Sequence, residues 1–131
     1  MRVVHETDDA VGGESGRRTL ASDVEVAESA LEQARGLMFR QSIPDDHALV
    51  LDVGSGGLLT SGPSRQFVHM LFVRFPLDVL WLRNDEVVKR ARLAPWRGFG
   101  VARADRILEL PAGGADAVDV GDTVRVVDEV S

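Results

Sequence analysis

The sequence contains six residues whose side chains could do chemistry or hold a ligand. They are Met38, Arg40, His69, Met70, Asp78 and Glu109. His69 could act as a proton donor or acceptor, because an imidazole titrates near neutral pH. Asp78 and Glu109 stand beside or within short apolar stretches, where a bare charge is costly and a bound partner is expected. These residue types predict a ligand-binding pocket, or a site for acid–base chemistry.

Each of these residues also has a structural interpretation. His69 could be a core histidine that bonds a carbonyl or a carboxylate. Asp78 follows Pro76-Leu77 and could accept backbone N–H bonds at the bend or pair with an arginine. Glu109 could face solvent or form a buried pair with Arg40, which would be structural first. The two methionines could fill gaps in the core.

Other chemistry has little support in the sequence. The absence of cysteine excludes disulfides and thiolate chemistry. His5 and His47 stand in unrelated contexts and give no ligand-like spacing with His69, so we expect no zinc site and no cofactor. No Gly-x-Ser-x-Gly motif is present, and we therefore name no catalytic residue.

The elements that would position these residues are mostly strands. Phe67–Leu93 predicts two apolar strands interrupted at Phe75-Pro76, followed by a hairpin that closes at Asn84-Asp85. Further short strands are predicted at Arg2–His5, Ala48–Leu51, Arg106–Leu110 and Thr123–Val127.

One helix is predicted between the strands. Val24, Ala27, Leu31 and Ala34 recur at three- and four-residue steps, which favours a helix from Val24 to Arg35 that ends at Gly36. The expected fold is mainly β with one α-helix (α+β). It would be a small antiparallel β-barrel or sandwich, jelly-roll-like, braced by that helix. The pocket would lie between Met38–Arg40 and the strands that carry the other candidates.

Length and charge bound the class of protein. The 131 residues predict one globular domain at 19–131, preceded by an N-terminal strand and flexible loop at 1–18. A second flexible loop is expected at Gly54–Gln66. The net charge of −6 argues against nucleic acid and anionic membranes as partners. We expect a monomer whose partner is a small molecule or a protein.

The sequence also suggests where the protein works. No secretory or membrane-spanning segment is recognisable, so a cytoplasmic location is expected. Lys89 is the only lysine, and the acidic surplus is typical of a halophile's protein. A GC-rich genome would produce the same preference for arginine.

Three blocks of sequence resemble a widespread uncharacterised family, domain of unknown function 192. Arg35–Arg40 is similar to its R-G-L-M-[FY]-R block. His69-Met70 with Phe75–Leu80 resembles its W-M…I-P-L-D-[IV]-L block, and Leu108–Gly113 with Gly121-Asp122 resembles a third. The resemblance runs from Thr19 to Val127 and implies a small, mostly-β barrel with a short helix. It implies no activity.

The chain departs from that family pattern at one place. Many members carry Lys-Asn-Thr after W-M, whereas this chain has Leu71-Phe72-Val73. This chain therefore lacks those three polar side chains.

Three classes of function stay open. The leading interpretation is a non-catalytic binding module. The alternative is an acid–base enzyme that uses Asp78 or Glu109 with His69. The third is an interaction protein that uses the Trp96–Phe99 loop as its contact surface.

Overall fold

The structure is a computed structural model and describes residues 1–7, 16–27, 37–52 and 64–128. Over these ranges the chain forms ten strands: β1 (Arg2–Thr7), β2 (Gly16–Ala21), β3 (Asp23–Ala27), β4 (His47–Asp52), β5 (Ser64–His69), β6 (Leu77–Arg83), β7 (Glu86–Leu93), β8 (Phe99–Ala104), β9 (Arg106–Pro111) and β10 (Thr123–Val127). Eight strands form a large sheet in the order β2-β1-β10-β7-β6-β9-β4-β3, and β5 pairs with β8 in a small sheet.

The predicted hairpin lies in the middle of the large sheet. β6 and β7 pair antiparallel from Leu77↔Leu93 to Arg83↔Glu86. The two turn residues, Asn84 and Asp85, have φ of 50° and 68°. A type I′ turn requires positive φ at both positions, and asparagine and aspartate tolerate it. The prediction of a hairpin at this dipeptide is confirmed.

The large sheet has an apolar core on each side. Alternation along β6 sends Val79 and Trp81 to one side, which we call the front face, and Leu80 and Leu82 to the other, the back face. The small sheet covers the front face through buried residues such as Val68. The loop 112–120 contributes Ala115 and Val118 to the back core.

The predicted helix from Val24 to Arg35 is wrong where the structure describes it. Val24–Ala27 belongs to β3, which pairs in parallel with β4 from Asp23↔His47 to Ala27↔Leu51. Alternation places Val24 and Val26 against the back core, whereas Ala27 joins the front core. No helix occurs among the described residues. The apolar strand β4 needs a partner at each edge, and this pairing overrides the weak helical spacing.

Of the predicted barrel or sandwich, the barrel is wrong as well. In the described ranges, β2 and β3 form opposite ends of the large sheet and no ladder joins them. Ser22 alone separates these two strands. A single residue leaves no turn with which β3 could fold back and pair with β2, so the sheet stays open.

Three predicted segments extend beyond the described residues. Residues 28–35 of the predicted helix, most of the N-terminal loop and most of the Gly54–Gln66 loop lie outside them. Over the described ranges, no helix has the length and apolarity that a membrane crossing requires.

Candidate functional site

Three connecting segments meet at one end of the front core: 37–40, 70–75 and 94–98. Backbone hydrogen bonds hold them together. The N–H of Phe39 donates to the carbonyl of Phe72 at 2.9 Å, and the N–H of Trp96 donates to the carbonyl of Met70 at 3.1 Å. Residues distant in sequence are thereby fixed side by side.

Each segment contributes one aromatic side chain to a cluster that we call the aromatic triad: Phe39, Phe72 and Trp96. The rings of Phe39 and Phe72 stack with centroids 5.0 Å apart. Trp96 meets Phe72 edge-on at 5.5 Å and an interplanar angle of 65°. All three residues are exposed, between 44% and 53%. The inclined rings of Phe72 and Trp96 therefore form an apolar corner that is open to solvent.

The backbone of the triad has an uncommon conformation. Phe39, Phe72 and Trp96 have φ of 69°, 62° and 68°. Among the described non-glycine residues, positive φ is otherwise confined to the two hairpin residues Asn84 and Asp85. For a bulky side chain the left-handed region is a strained choice. Every ring of the triad is thus presented from an unfavourable backbone conformation.

The triad is bordered by positive charge. Arg40 follows Phe39, Arg74 lies two residues after Phe72, and Arg97 follows Trp96. The stretches 70–77 and 93–104 contain no aspartate or glutamate. The site is therefore locally basic in a chain whose net charge is −6.

A buried carboxylate lies on the front face of the large sheet near this site. Glu109 in β9 pairs with Leu49 of β4 and Val79 of β6, and it is only 6% exposed. Its strand neighbour on the same face, Ile107, belongs to the front core. Within the described part of the chain, the carboxyl group of Glu109 has no hydrogen-bond partner, and the charge that acts on it is that of Arg40.

Arg40 supplies that charge and shares it with a second acid. Its Nη2 donates to Oε2 of Glu25 at 2.5 Å, with both side chains partly exposed. Glu25 lies opposite Leu49 in the β3–β4 ladder, so Glu25, Leu49 and Glu109 form one row across three strands. Arg40 is the cation between the two acids of that row.

Burial dominates the electrostatics of Glu109. Loss of solvent raises its pKa to about 7, and the attraction of Arg40 opposes this rise. Near neutral pH the side chain is therefore present in both protonation states. Arg40, the arginine that opposes this rise, directly follows Phe39 of the triad in the sequence.

Asp78 lies on the opposite side of the sheet. It is buried, and its Oδ2 accepts hydrogen bonds from the N–H groups of Gly113 and Ala115 at 3.0 and 3.1 Å. Arg92 donates to both carboxylate oxygens. Burial raises the pKa of Asp78, but these hydrogen bonds and the charge of Arg92 outweigh it, and the pKa is lowered. The carboxylate thus anchors the loop 112–120 to β6.

The other candidates divide between the two layers. The side chain of Met70 is buried in the front core, and Met38 packs against that core. His69 is half-buried in the small sheet, and its Nδ1 accepts a hydrogen bond from the N–H of Leu71 at 3.3 Å. The structure thus gathers Met38, Arg40, Met70 and Glu109 around the front core. It places Asp78 on the other face and His69 in the outer layer, so His69, Asp78 and Glu109 do not share one pocket.

Sequence reasoning missed three members of the site. Phe39 and Phe72 are not among the predicted site residues, and Glu25 falls within the helix predicted from Val24 to Arg35. No local signal marks Phe39 or Phe72, because phenylalanine does not favour a left-handed backbone. Trp96 had a signal, since an aromatic residue in a loop is a candidate for a binding surface. Within the described residues, no three His, Asp or Glu side chains are grouped so that they could hold a metal ion.

Comparisons with known proteins fit this fold. The sequence profile of DUF192, described as an uncharacterized ACR, matches residues 12–126. A protein of unknown function from Novosphingobium aromaticivorans is similar in structure, with a TM-score of 0.74 and 24% identity over 95% of this chain and 84% of that one. A candidate transcription regulator from Sinorhizobium meliloti has a TM-score of 0.72 and 22% identity over 95% of this chain and 92% of that one. None of the curated proteins matches the sequence.

Proposed function

The chain belongs to the DUF192 family, and we propose that it is a small-molecule-binding module whose site is the aromatic triad. The ligand class is a flat aromatic or heterocyclic molecule that carries a negative charge. One observation carries the proposal: three exposed aromatic rings are packed together, and each is held on a left-handed backbone.

The strain argues for a role in binding. A left-handed conformation costs roughly 1–2 kcal/mol for an ordinary residue. Such conformations persist where surrounding contacts impose them, and they cluster at ligand clamps and active sites. Asparagine or glycine at these three positions would remove most of that cost. Strained aromatic residues that also leave rings exposed to water favour a surface whose purpose is contact with another molecule.

The ring geometry and the charge indicate the ligand class. A flat ligand can stack on one ring of the Phe72–Trp96 corner and meet the other edge-on, as aromatic groups prefer. Arg74 and Arg97 are exposed beside the corner and can pair with a carboxylate or phosphate. Arg40 can join them by turning from Glu25. In this scheme Met38 and Met70 support the loops from below, and Glu109 helps to position Arg40.

The test uses 2-naphthoate as the probe and NMR as the readout. The chain has two tryptophans; Trp81 is fully buried and Trp96 lies in the corner. We expect 2-naphthoate to shift the indole N–H signal of Trp96 and to leave that of Trp81 in place. Cyclohexanecarboxylate, which lacks a flat ring, and 2-naphthamide, which lacks the negative charge, should bind at least about tenfold more weakly.

A matched pair of variants distinguishes binding at the aromatic triad from non-specific binding. Phe72→Asn removes a ring but keeps a residue that tolerates left-handed φ, and it should abolish the shift. Phe67→Asn removes a more exposed ring from the small sheet and should bind 2-naphthoate as the unmodified protein does. Equal binding of all three probes, or equal losses in both variants, would contradict the proposal.

A second part of the proposal concerns the environment of the protein, which we take to be the cytoplasm of a salt-adapted organism. It is supported by the net charge of −6 and by the single lysine. Screening at high ionic strength removes repulsion among surface carboxylates. The melting temperature should therefore rise with KCl concentration well beyond the physiological value. A melting temperature that does not change with KCl would contradict salt adaptation and leave a GC-rich genome as the explanation for the preference for arginine over lysine.

A further inference from the structure

The outer face of the small sheet is a second exposed surface, separate from the triad. Alternation places three residues of β5 and three of β8 on it, and we call it the sheet face: Arg65, Phe67, His69, Phe99, Val101 and Arg103. The apolar members Phe67, Phe99 and Val101 are between 44% and 68% exposed. Phe99 is the most exposed large apolar residue in the described part of the chain.

The apolar residues of the sheet face form one patch. The ring of Phe67 lies 6.1 Å from that of Phe99 and 6.3 Å from that of His69. Val101 is the direct cross-strand partner of Phe67. Contiguous exposed apolar surface of this kind marks interaction sites on otherwise soluble proteins.

A like-charge pair closes one end of the patch. Arg65 and Arg103 face each other directly across the two strands. Like charges in directly opposite positions destabilise a sheet. Neither arginine forms an ion pair with any residue that the structure describes, and the adjoining segment 53–63 contains no aspartate or glutamate. Among the described residues, no ion pair therefore offsets this repulsion.

The sheet face is rigidly supported from beneath. The indole N–H of the buried Trp81 donates to the carbonyl of Gln66 in β5 at 3.0 Å. Gly100 in β8 lies so close to the same indole that an added Cβ would stand 2.7 Å from it. Trp81 thus fixes both strands, β5 and β8, against the front core. A preorganised surface loses little conformational entropy when it binds.

We propose that the sheet face docks a partner protein which presents apolar side chains flanked by aspartate or glutamate. Phe67, Phe99 and Val101 would pack against the apolar side chains. Arg65 and Arg103 would each receive a carboxylate, which relieves their mutual repulsion. Aromatic residues and arginine are the residue types that dominate the energy of protein interfaces.

The charge distribution selects this partner over two others. A second copy of the chain, joined by a two-fold axis, would add two more arginines and no carboxylate, because each sheet face carries the same residues. A nucleic acid would be repelled at longer range by the net charge of −6, and two arginines neutralise few phosphates. A compact acidic and apolar protein segment needs only the short-range match that the sheet face provides.

The test measures binding of a short peptide that alternates aspartate with leucine. We expect it to shift the backbone amide NMR signals of residues 65–69 and 99–103. The double substitution R65E/R103E preserves a like-charge pair, so its effect on folding is matched, yet it should weaken binding at least about tenfold. The variant Arg83→Glu changes an exposed arginine at the far end of β6 and should leave the affinity unchanged.

Four further measurements separate the proposal from its alternatives. A peptide that alternates lysine with leucine should not bind, and equal affinity for both peptides would reduce the sheet face to a non-specific apolar patch. Tighter binding of oligouridylate than of the acidic peptide would make the surface a nucleic-acid site. Self-association in sedimentation, lost in the variant Phe99→Ser, would make the occupant a second copy. Phe72→Asn should leave peptide binding intact, which separates this test from that of the aromatic triad.

Discussion

The Asp78 carboxylate and the Arg92 guanidinium form a bidentate ion pair across β6 and β7. Nε of Arg92 donates to Oδ1 at 2.8 Å, and Nη2 donates to Oδ2 at 3.4 Å. Asp78 is buried, whereas the side chain of Arg92 is 54% exposed. With the two backbone N–H donors of the loop 112–120, the pair satisfies a charge that the back core would not otherwise tolerate.

The first prediction concerns the substitution Asp78→Asn. The amide keeps the size of the side chain but loses the charge, and its NH2 group cannot accept the bonds that Arg92 and the loop donate. We expect the free energy of unfolding to fall by roughly 2–3 kcal/mol, measured by urea denaturation at pH 7. Asp116→Asn removes the other, exposed partner of Arg92 and should cost less than about 1 kcal/mol. Similar losses in both variants would disprove the anchoring role.

Asp78 also makes the free energy of unfolding depend on pH in the acidic range. The folded pKa of Asp78 is below its ordinary value of 3.8. Its contribution is therefore complete above that value and is lost as the pH falls through the lower, folded pKa. In Asp78→Asn this part of the acid unfolding should be missing.

The second prediction concerns Glu109, for which the sign is reversed. Its folded pKa of about 7 lies above the ordinary value of 4.5. Between these values the folded protein holds a proton that the unfolded chain has released. The free energy of unfolding should therefore decline as the pH rises from about 4.5 to about 7, by roughly 3 kcal/mol in all, and then level off.

The variant Glu109→Gln tests this slope. Glutamine cannot ionise, so urea denaturation at several pH values should show no decline of this origin, and the variant should be the more stable form at pH 8. Glu86→Gln, at an exposed position of β7, should retain the full slope. A slope that survives in Glu109→Gln would have to come from another group.

The third prediction concerns the shared cation. Arg40 is the charge that lowers the pKa of Glu109 against the effect of burial. Arg40→Met should therefore raise the pKa of Glu109 above about 7. The titration can be measured from the NMR chemical shift of the Glu109 carboxyl carbon. Arg97→Met removes an exposed arginine from the neighbouring loop and should leave that titration where it is. An unchanged midpoint in Arg40→Met would mean that the arginine does not act on Glu109.

The fourth prediction separates stability from docking on the sheet face. Arg65→Glu alone converts the like-charge pair with Arg103 into a cross-strand ion pair. The protein should become more stable by about 0.2–1 kcal/mol, seen as a higher melting temperature. The acidic peptide should nevertheless bind more weakly. If the single substitution lowered stability, the two guanidinium groups would not be repelling each other as their register implies.

Some of the fold could be read from local patterns. The Asn84-Asp85 hairpin was predictable because those two residues tolerate positive φ and are flanked by apolar runs. The strands at β4, β9 and β10 were predictable from short apolar stretches between turn residues. Strand β3 was not, because a stretch with Val24, Val26 and Ala27 fits either period over so short a length. Its parallel pairing with β4 decided the outcome.

The sequence by itself determined the family, the predominance of strands, the central hairpin and the residues whose chemistry was worth following. Only the tertiary structure decided which of those residues meet. Adjacent positions on a strand point to opposite faces. Glu109 pairs with Val79, the neighbour of Asp78, so the two carboxylates lie on opposite faces of the sheet. The sequence does not specify this strand register. The left-handed φ of Phe39, Phe72 and Trp96 runs against their own preference, and contacts between distant segments impose it.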